Sequence, residues 1–308
     1  MIGFHIAEST YTISLNLALA DFMKEKPDYF REDFKIASYF GSPAVKWNGG
    51  RMILGRFYPD RTKKIIDGYN SRGIPYRFTF TNPSLTEADL EDADCNALLN
   101  MADNGMNEVI VNSPLLEDYI RKTHPNMKLT SSTCKCIRGI DELKAELARD
   151  YSLVVLDYNF NNDFEALEKL SLEERKKCEV LINSHCVPDC PRRKEHYKYI
   201  GDIQMRIDEF KKMSAEEFNR QNIREWECKY REFNPYEGTP TSLQIDPEDV
   251  FGRYRDMGFE NFKIEGRAIN MMVLAEQMIK YLVKPEKKDA ARYSLMIAAL
   301  DYSYLNFS

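Results

Sequence analysis

Eight short runs with strand character recur along the 308 residues, each followed by enough chain for a helix. They are Ile2 to Ala7, Phe34 to Phe40, Tyr76 to Thr81, Glu108 to Asn112, Lys128 to Ser132, Ser152 to Leu156, Cys178 to Ile182 and Glu260 to Ile264. Helical periodicity fills most of the gaps, at Tyr11 to Lys24, Pro59 to Asn70, Pro114 to about Thr123, Asp163 to Leu170, Asp246 to Met257 and Ala268 to Val283. Strands that alternate with crossover helices pair in parallel. With eight of them the simplest closure is an α/β fold of the (β/α)8 TIM-like type. An open doubly wound sheet is the alternative, and no GxGxxG fingerprint follows an early strand to support it. The chain therefore reads as one barrel domain, 1–308. A helical insert at 200–245 covers the barrel mouth, and a helical tail occupies 285–308.

Local punctuation sharpens this outline. Ser84 with Glu87 three residues on has the pattern of a capping box. Gly49-Gly50 before Arg51 reads foremost as a turn, with close approach of backbone to an anion as the alternative. The insert is rich in aromatic residues between Met205 and Tyr236. Such residues mark either packing onto the barrel or an interface.

Composition restricts the function classes. A formal net charge of −6 speaks against a broad nucleic-acid-binding face, though a local basic patch is compatible with it. No apolar run approaches the length of a membrane span, and the first residues lack the pattern of a secretory leader. Seven unevenly spaced cysteines in such a chain point to a reduced, cytoplasmic protein rather than a disulfide scaffold.

In a (β/α)8 barrel the chemistry collects at the C-terminal ends of the strands. Here those ends bring Asn82, Asn112, Ser131-Ser132-Thr133, Asp157, Asn183 to Cys190 and Glu265-Gly266-Arg267 to one rim. The densest stretch is INSHCVPDCPRRKEHY, Ile182 to Tyr197, with Cys186 and Cys190 in a loop stiffened by two prolines. Cys134 and Cys136 follow another strand end, and Cys228 lies in the insert. Three or four thiols at one mouth match the stoichiometry of a metal site, against the plainer reading of buried apolar thiols. Zinc would take four ligands, drawing on His185 or His196. A 4Fe–4S cluster would take its fourth thiolate from Cys134 or Cys136, and spacing does not choose between them. Cys178 at the start of its strand reads as structural and Cys95 as incidental. Arg192-Arg193-Lys194 is either an anion-binding edge or a solvated loop. Phe262 to Arg267, FKIEGR, places Glu265, a glycine and Arg267 as a clamp for an anionic ligand, or as a structural ion pair.

Several of these stretches, taken in order, resemble the peptidase U32 family of collagenase-like proteases and their relatives. FKIEGR after Met257-Gly258 is similar to the closing signature of that family. VKWNGGR (Val45 to Arg51), Arg72-Gly73-Ile74-Pro75 with Asn82, Val111 to Leu116, Pro125 to Thr133 and Glu179 to Cys186 resemble earlier segments. The resemblance spans roughly 34–284 and lacks the additional C-terminal domain of longer members. It implies an enzyme of U32 type, and relatives that act as oxygen-independent hydroxylases with a 4Fe–4S cluster make an iron–sulfur-dependent reaction on a small or medium anionic substrate the leading expectation. Under it, Cys186, Cys190 and Cys228 would be metal ligands, with Cys134 or Cys136 as the fourth and zinc as the alternative metal. Glu265 and Arg267 would be catalytic and position the substrate. Arg192, Asn82, Asn183 and Ser132 would contact it. A U32-type peptidase or hydrolase is a second reading, although neither HExxH nor GxSxG occurs. A non-catalytic partner of a second U32-like subunit is a third.

Overall fold

The computed structural model describes residues 1–8, 12–221, 223, 226, 242–266 and 271–302. The eight strands are β1 Ile2–Ala7, β2 Phe34–Gly41, β3 Tyr76–Phe80, β4 Glu108–Val111, β5 Lys128–Ser131, β6 Leu153–Val155, β7 Cys178–Leu181 and β8 Asn261–Ile264. They form a closed barrel in chain order, every pair parallel, with β8 paired to β1. The α-helices among the described residues are α1 Ile13–Glu25, α2 Pro59–Asn70, α3 Ala93–Ala102, α4 Pro114–Thr123 and α5 Ile140–Leu147. They continue with α6 Phe164–Glu168, α7 Leu172–Lys177, α8 Arg193–Met205, α9 Ile207–Phe210, α10 Ala215–Arg220, α11 Pro247–Asp249, α12 Met271–Leu282 and α13 Lys288–Asp301. No described helix is long and apolar enough to cross a membrane.

Strand alternation sorts the side chains into two layers. One face of each strand points outward under the helices, where Phe4, Tyr39, Phe78, Phe80, Val109, Val180 and Phe262 join a continuous apolar cluster with Leu17, Leu98, Leu116 and Met278. The other face fills the barrel. Its upper layer is apolar, with Ala7, Phe40 and Ile110 in contact. Its middle layer is charged. Arg77 donates from Nη1 to Glu179 Oε2 at 2.6 Å, Lys263 Nζ reaches Glu179 Oε1 at 2.9 Å, and His5 lies beside them. All four are buried. The run EVLI at 179–182 is therefore not apolar on both faces, because Glu179 points inward and is offset by two cations.

Two details differ from the sequence reading. The capping box forms at Thr86 and Asp89, over the short turn Glu87–Glu91, and not at Ser84 and Glu87. Ser84 is taken up otherwise, its N–H by Asn82 Oδ1 and its hydroxyl by Asp202 of α8. The helical cover begins at Arg193, ahead of residue 200. It packs Ile203, Ile207 and Phe210 onto Ala44, with Met52, Ile53 and Leu54 of the β2–α2 connection around them.

Candidate active site

A cavity opens at the C-terminal mouth of the barrel. Phe40, Ile110, Val155 and Leu181 form its floor, and Thr79, Thr81, Ser132, Thr133, Cys134, Tyr158 and Tyr197 supply hydroxyls and a thiol. Its charged lining groups are Arg51, Lys263 and Glu265. Lys263 is committed to Glu179 below.

Arg51 enters the mouth on a loop that is fixed from several sides. Gly49 packs so closely on the end of β3 that a Cβ there would stand 2.4 Å from the Thr81 carbonyl. Gly50 takes a positive φ of 70°. Asn82 donates from Nδ2 to Lys46 O at 2.6 Å, and its own N–H donates to Trp47 O at 3.1 Å. Asn48 Nδ2 holds Arg51 O at 2.9 Å. From the other side, Gln204 of α8 donates to Val45 O and Ile53 O and accepts from Ile53 N. The paired glycines do form a turn, and that turn delivers a cation.

Arg51 Nη2 stands 3.3 Å from Glu265 Oε2, longer than a tight charge-assisted bond of about 2.7–2.9 Å. The Arg51 side chain keeps 29% of its surface exposed and that of Glu265 19%. Among the described residues this is the one side chain that engages the Arg51 guanidinium. Glu265 is held more firmly from behind. The His185 N–H donates to Oε1 at 2.9 Å, while Asn183 bridges the Glu265 backbone by accepting from its N–H at 2.8 Å and donating to its carbonyl at 3.0 Å. The ends of β7 and β8 are thus locked together with the carboxylate aimed at the mouth.

Two cysteine loops flank this pair. In the first, Ser132 Oγ caps Cys134 N, and Cys136 adopts a left-handed φ of 54°. In the second, Asp189 is left-handed at φ 48° between Cys186 and Cys190. Arg193 joins them. It makes a buried double contact with Asp157, 3.1 Å for Nη1 to Oδ1, and also donates to Cys136 Sγ at 3.1 Å and Thr133 O at 3.2 Å. Its guanidinium lies over the Tyr158 ring at 4.2 Å. Arg138 reaches Cys190 O at 3.1 Å. Burial pushes the Cys136 thiol up, against the pull of Arg193, and pushes Cys186 up against a hydrogen bond from Tyr158. Both are thiols at neutral pH rather than thiolates.

Below the floor, burial brings His5 down to about 3, assisted by Arg77 and Lys263 and opposed by Glu179. Arg77 Nη1 lies 2.8 Å from His5 Nδ1, which fixes that nitrogen as an acceptor. Burial alone would raise Glu179, but Arg77 and Lys263 hold its carboxyl well below the usual range.

The structure gathers Ser132, Cys134 and Glu265 around the cavity, with Asn183 behind Glu265. Asn82 is fully buried as a clamp on the 46–49 loop. Arg192 lies off the cavity lining, over the Trp226 ring at 4.2 Å and 3.1 Å from Glu195. Cys228 and Arg267 lie outside the described residues. Among the described residues no three His, Cys, Asp or Glu side chains are grouped to hold a metal ion. Cys136 accepts from Arg193 Nε, and Cys186 is hydrogen-bonded to Tyr158. Arg51, Lys263, Tyr158 and Tyr197 were not singled out from the sequence. The signal for Arg51 was the Gly-Gly-Arg turn, and Lys263 lay unremarked within FKIEGR.

No family model and no curated protein matches the chain. Among solved structures it is similar to that of the U32 peptidase Mk0906, at 12% identity and a TM-score of 0.48, over 86% of this chain and 92% of that one.

Proposed function

We propose that the barrel mouth is the active site of an enzyme acting on a small organic anion, with a carboxylate as the group recognised. One observation carries this reading. Arg51 is presented into the cavity by a loop braced on three sides, and Glu265 occupies only part of its donor fork. A guanidinium offers a planar fork that matches a carboxylate in two parallel hydrogen bonds. Thr79, Thr81, Ser132 and Thr133 add hydroxyls at the same mouth. Bound there, an anion would displace Glu265 as the partner of Arg51. Glu265, fixed by His185 N–H and Asn183, would then stand beside the substrate as the group that accepts or returns a proton. Tyr158 and Tyr197 also line the cavity, their hydroxyls kept protonated by burial.

The resemblance to peptidase U32 relatives makes the finer reading a U32-type enzyme with iron–sulfur chemistry. Such a cluster would draw on Cys186, Cys190 and Cys228, with Cys134 or Cys136. Anaerobic purification with iron and sulfide assays addresses it directly, and a colourless, iron-free protein after reconstitution would remove it. The anion reading is tested separately, by calorimetric titration with oxalate, malonate, succinate and phosphate. At least one should bind, and Arg51→Gln should weaken it by about 30-fold, the loss of one or two charge-assisted hydrogen bonds. Equal affinity in Arg51→Gln, or no binding by any of the four, would overturn it.

A further inference from the structure

A second cavity lies outside the barrel wall, bounded by the β2–α2 connection, the start of α1 and the first turns of α2. It shares no lining residue with the cavity at the mouth. Branched aliphatic side chains make most of its apolar surface: Ile13, Ile53, Leu54, Ile65 and Ile66. Three kinds of polar group stand among them. Just after β1 is the Glu8 carboxyl, 6% exposed, which accepts from the Tyr76 hydroxyl. Gly41 at the end of β2 makes room for that pair, since a Cβ there would stand 2.7 Å from Glu8 Oε2 and 2.7 Å from Tyr76 Oη. The cations are Arg61, in the first turn of α2, and Arg56, which donates from Nη2 to Lys211 O at 3.2 Å. No side chain caps the start of α2, so its positive end adds to Arg61. The third group is Ser42, 8% exposed, whose Oγ has no hydrogen-bond partner among the described residues. A hydroxyl buried without a partner costs stability, and a ligand that meets it recovers that cost.

We infer that this cavity is a second ligand site, and that its ligand is a free α-amino acid with a branched aliphatic side chain. The chemistry of the lining selects that class. A small-molecule site is mostly apolar, with a few polar groups that fix orientation, and here those groups carry both signs. An aliphatic carboxylate would satisfy Arg61 and the start of α2 but bring nothing for the Glu8 carboxyl. An aliphatic amine would do the reverse. An α-amino acid holds an ammonium and a carboxylate on one carbon, with the side chain leaving that same carbon. Its ammonium meets Glu8, its carboxylate meets Arg61, and its branched end packs on the isoleucines. The Ser42 hydroxyl either accepts from the ammonium or donates to the carboxylate. A site that hydrogen-bonds a polar group rejects the analogue without it far more strongly than it rejects a change of one methylene. The two charges therefore set the class, and the aliphatic walls only grade its members.

Calorimetric titration of the full chain with leucine, isoleucine and valine tests this. Isovalerate serves as the analogue without the ammonium and isoamylamine as the one without the carboxylate. At least one of the three amino acids should bind, with a Kd of about 10–500 µM, and each analogue should bind about 30-fold more weakly or less. Arg61→Gln, at a half-buried position, should weaken the amino acid by about 30-fold, and Glu8→Gln should do so at least as much. Thermal unfolding checks that both variants fold; if Glu8→Gln does not, Arg61→Gln and the analogue series on the wild type decide the matter. Arg51→Gln alters the mouth alone and should bind the amino acid like the wild type, so the result does not depend on the function proposed for the mouth. No binding by any of the three amino acids, an analogue as tight as its parent, or unchanged affinity in Arg61→Gln would overturn the inference. Loss of binding in Arg51→Gln would put the ligand at the mouth and overturn it as well.

Discussion

Gly49→Ala should damage both the fold and the site, for one geometric reason. A Cβ at position 49 would stand 2.4 Å from the Thr81 carbonyl carbon and oxygen and 2.5 Å from Asn82 N. Carbon contacts settle at about 3.5–4.0 Å, so the loop has to retreat by about 1 Å. The obstacles are backbone atoms just beyond β3, and no flexible tip can yield. The retreat breaks or stretches the Asn82 N–H to Trp47 O bond and the Asn82 Nδ2 to Lys46 O bond. It also disturbs Trp47, which is fully buried and packs edge-on to Phe80 at 5.3 Å. Two hydrogen bonds at about 1 kcal/mol each, with partial loss of the indole packing, amount to about 2–4 kcal/mol of stability. Arg51 is carried along two residues later. A displacement of about 1 Å spoils the two-bond geometry a carboxylate needs on its guanidinium, and anion affinity should fall by about 10-fold. Urea unfolding and anion titration read the two consequences together. Gly252→Ala is the control: a Cβ there meets nothing within 4 Å, and stability should change by less than about 0.5 kcal/mol. If Gly49→Ala also falls within about 0.5 kcal/mol and binds anions like the wild type, close packing at Gly49 does not position Arg51.

The buried charges make two further predictions. Glu179→Gln strands Arg77 and Lys263 in the barrel and should destabilise the protein by about 3–5 kcal/mol in urea unfolding, with much of that recovered in Glu179→Gln/Lys263→Met; no recovery would mean the pair is not the main partner. His5 refuses a proton down to about 3 in the folded state, whereas the unfolded chain takes one near 6.5, so its contribution is complete above pH 6.5 and falls as pH drops through that window. Each such group gives a slope of about 1.4 kcal/mol per pH unit, and half-buried His196, lowered to about 4, adds in the same direction. His5→Asn should therefore reduce the pH 4.5–6.5 slope of unfolding stability by about half, and an unchanged slope would refute the neutral, acceptor role of His5.

The eight strands were legible because barrel closure imposes period-two alternation next to helical periodicity, and that contrast survives without side-chain detail. What the pattern concealed was which face was which. In YRFTF the aromatic positions 76, 78 and 80 lie under the helices, and Arg77 and Thr79 point into the barrel. Alternation normally sends the polar set to water, and here the polar set lines a closed interior where ions have to be paired to be tolerated. The same inversion hid Glu179 inside EVLI and Lys263 inside FKIEGR. Their mutual pairing spans 84 residues of sequence, which no local window detects.

The strand-end asparagines show why a rim position alone does not establish a ligand contact. Asn82 and Asn183 both sit where a barrel keeps its chemistry, and both were read as contacting substrate. In the structure each makes its amide hydrogen bonds to neighbouring main chain. Asn82 spends its amide on Lys46 O and Gly201 O and its carbonyl on Ser84 N, and Asn183 spends both ends on Glu265. An asparagine amide can donate twice and accept twice, so at a rim of broken β ladders it is drawn first to main chain. Arginine and glutamate at the same rim are different. Their charge is too large to be met by one carbonyl, and where the opposite charge is only loosely matched it stays partly exposed. Arg51 and Glu265 are in that condition, 3.3 Å apart and each still open to the cavity. The amides fix the loops, and the loops leave this one loosely matched ion pair facing the mouth. An entering carboxylate would compete with Glu265 for Arg51, so that, under the proposed function, binding of the anion would also free the Glu265 carboxylate.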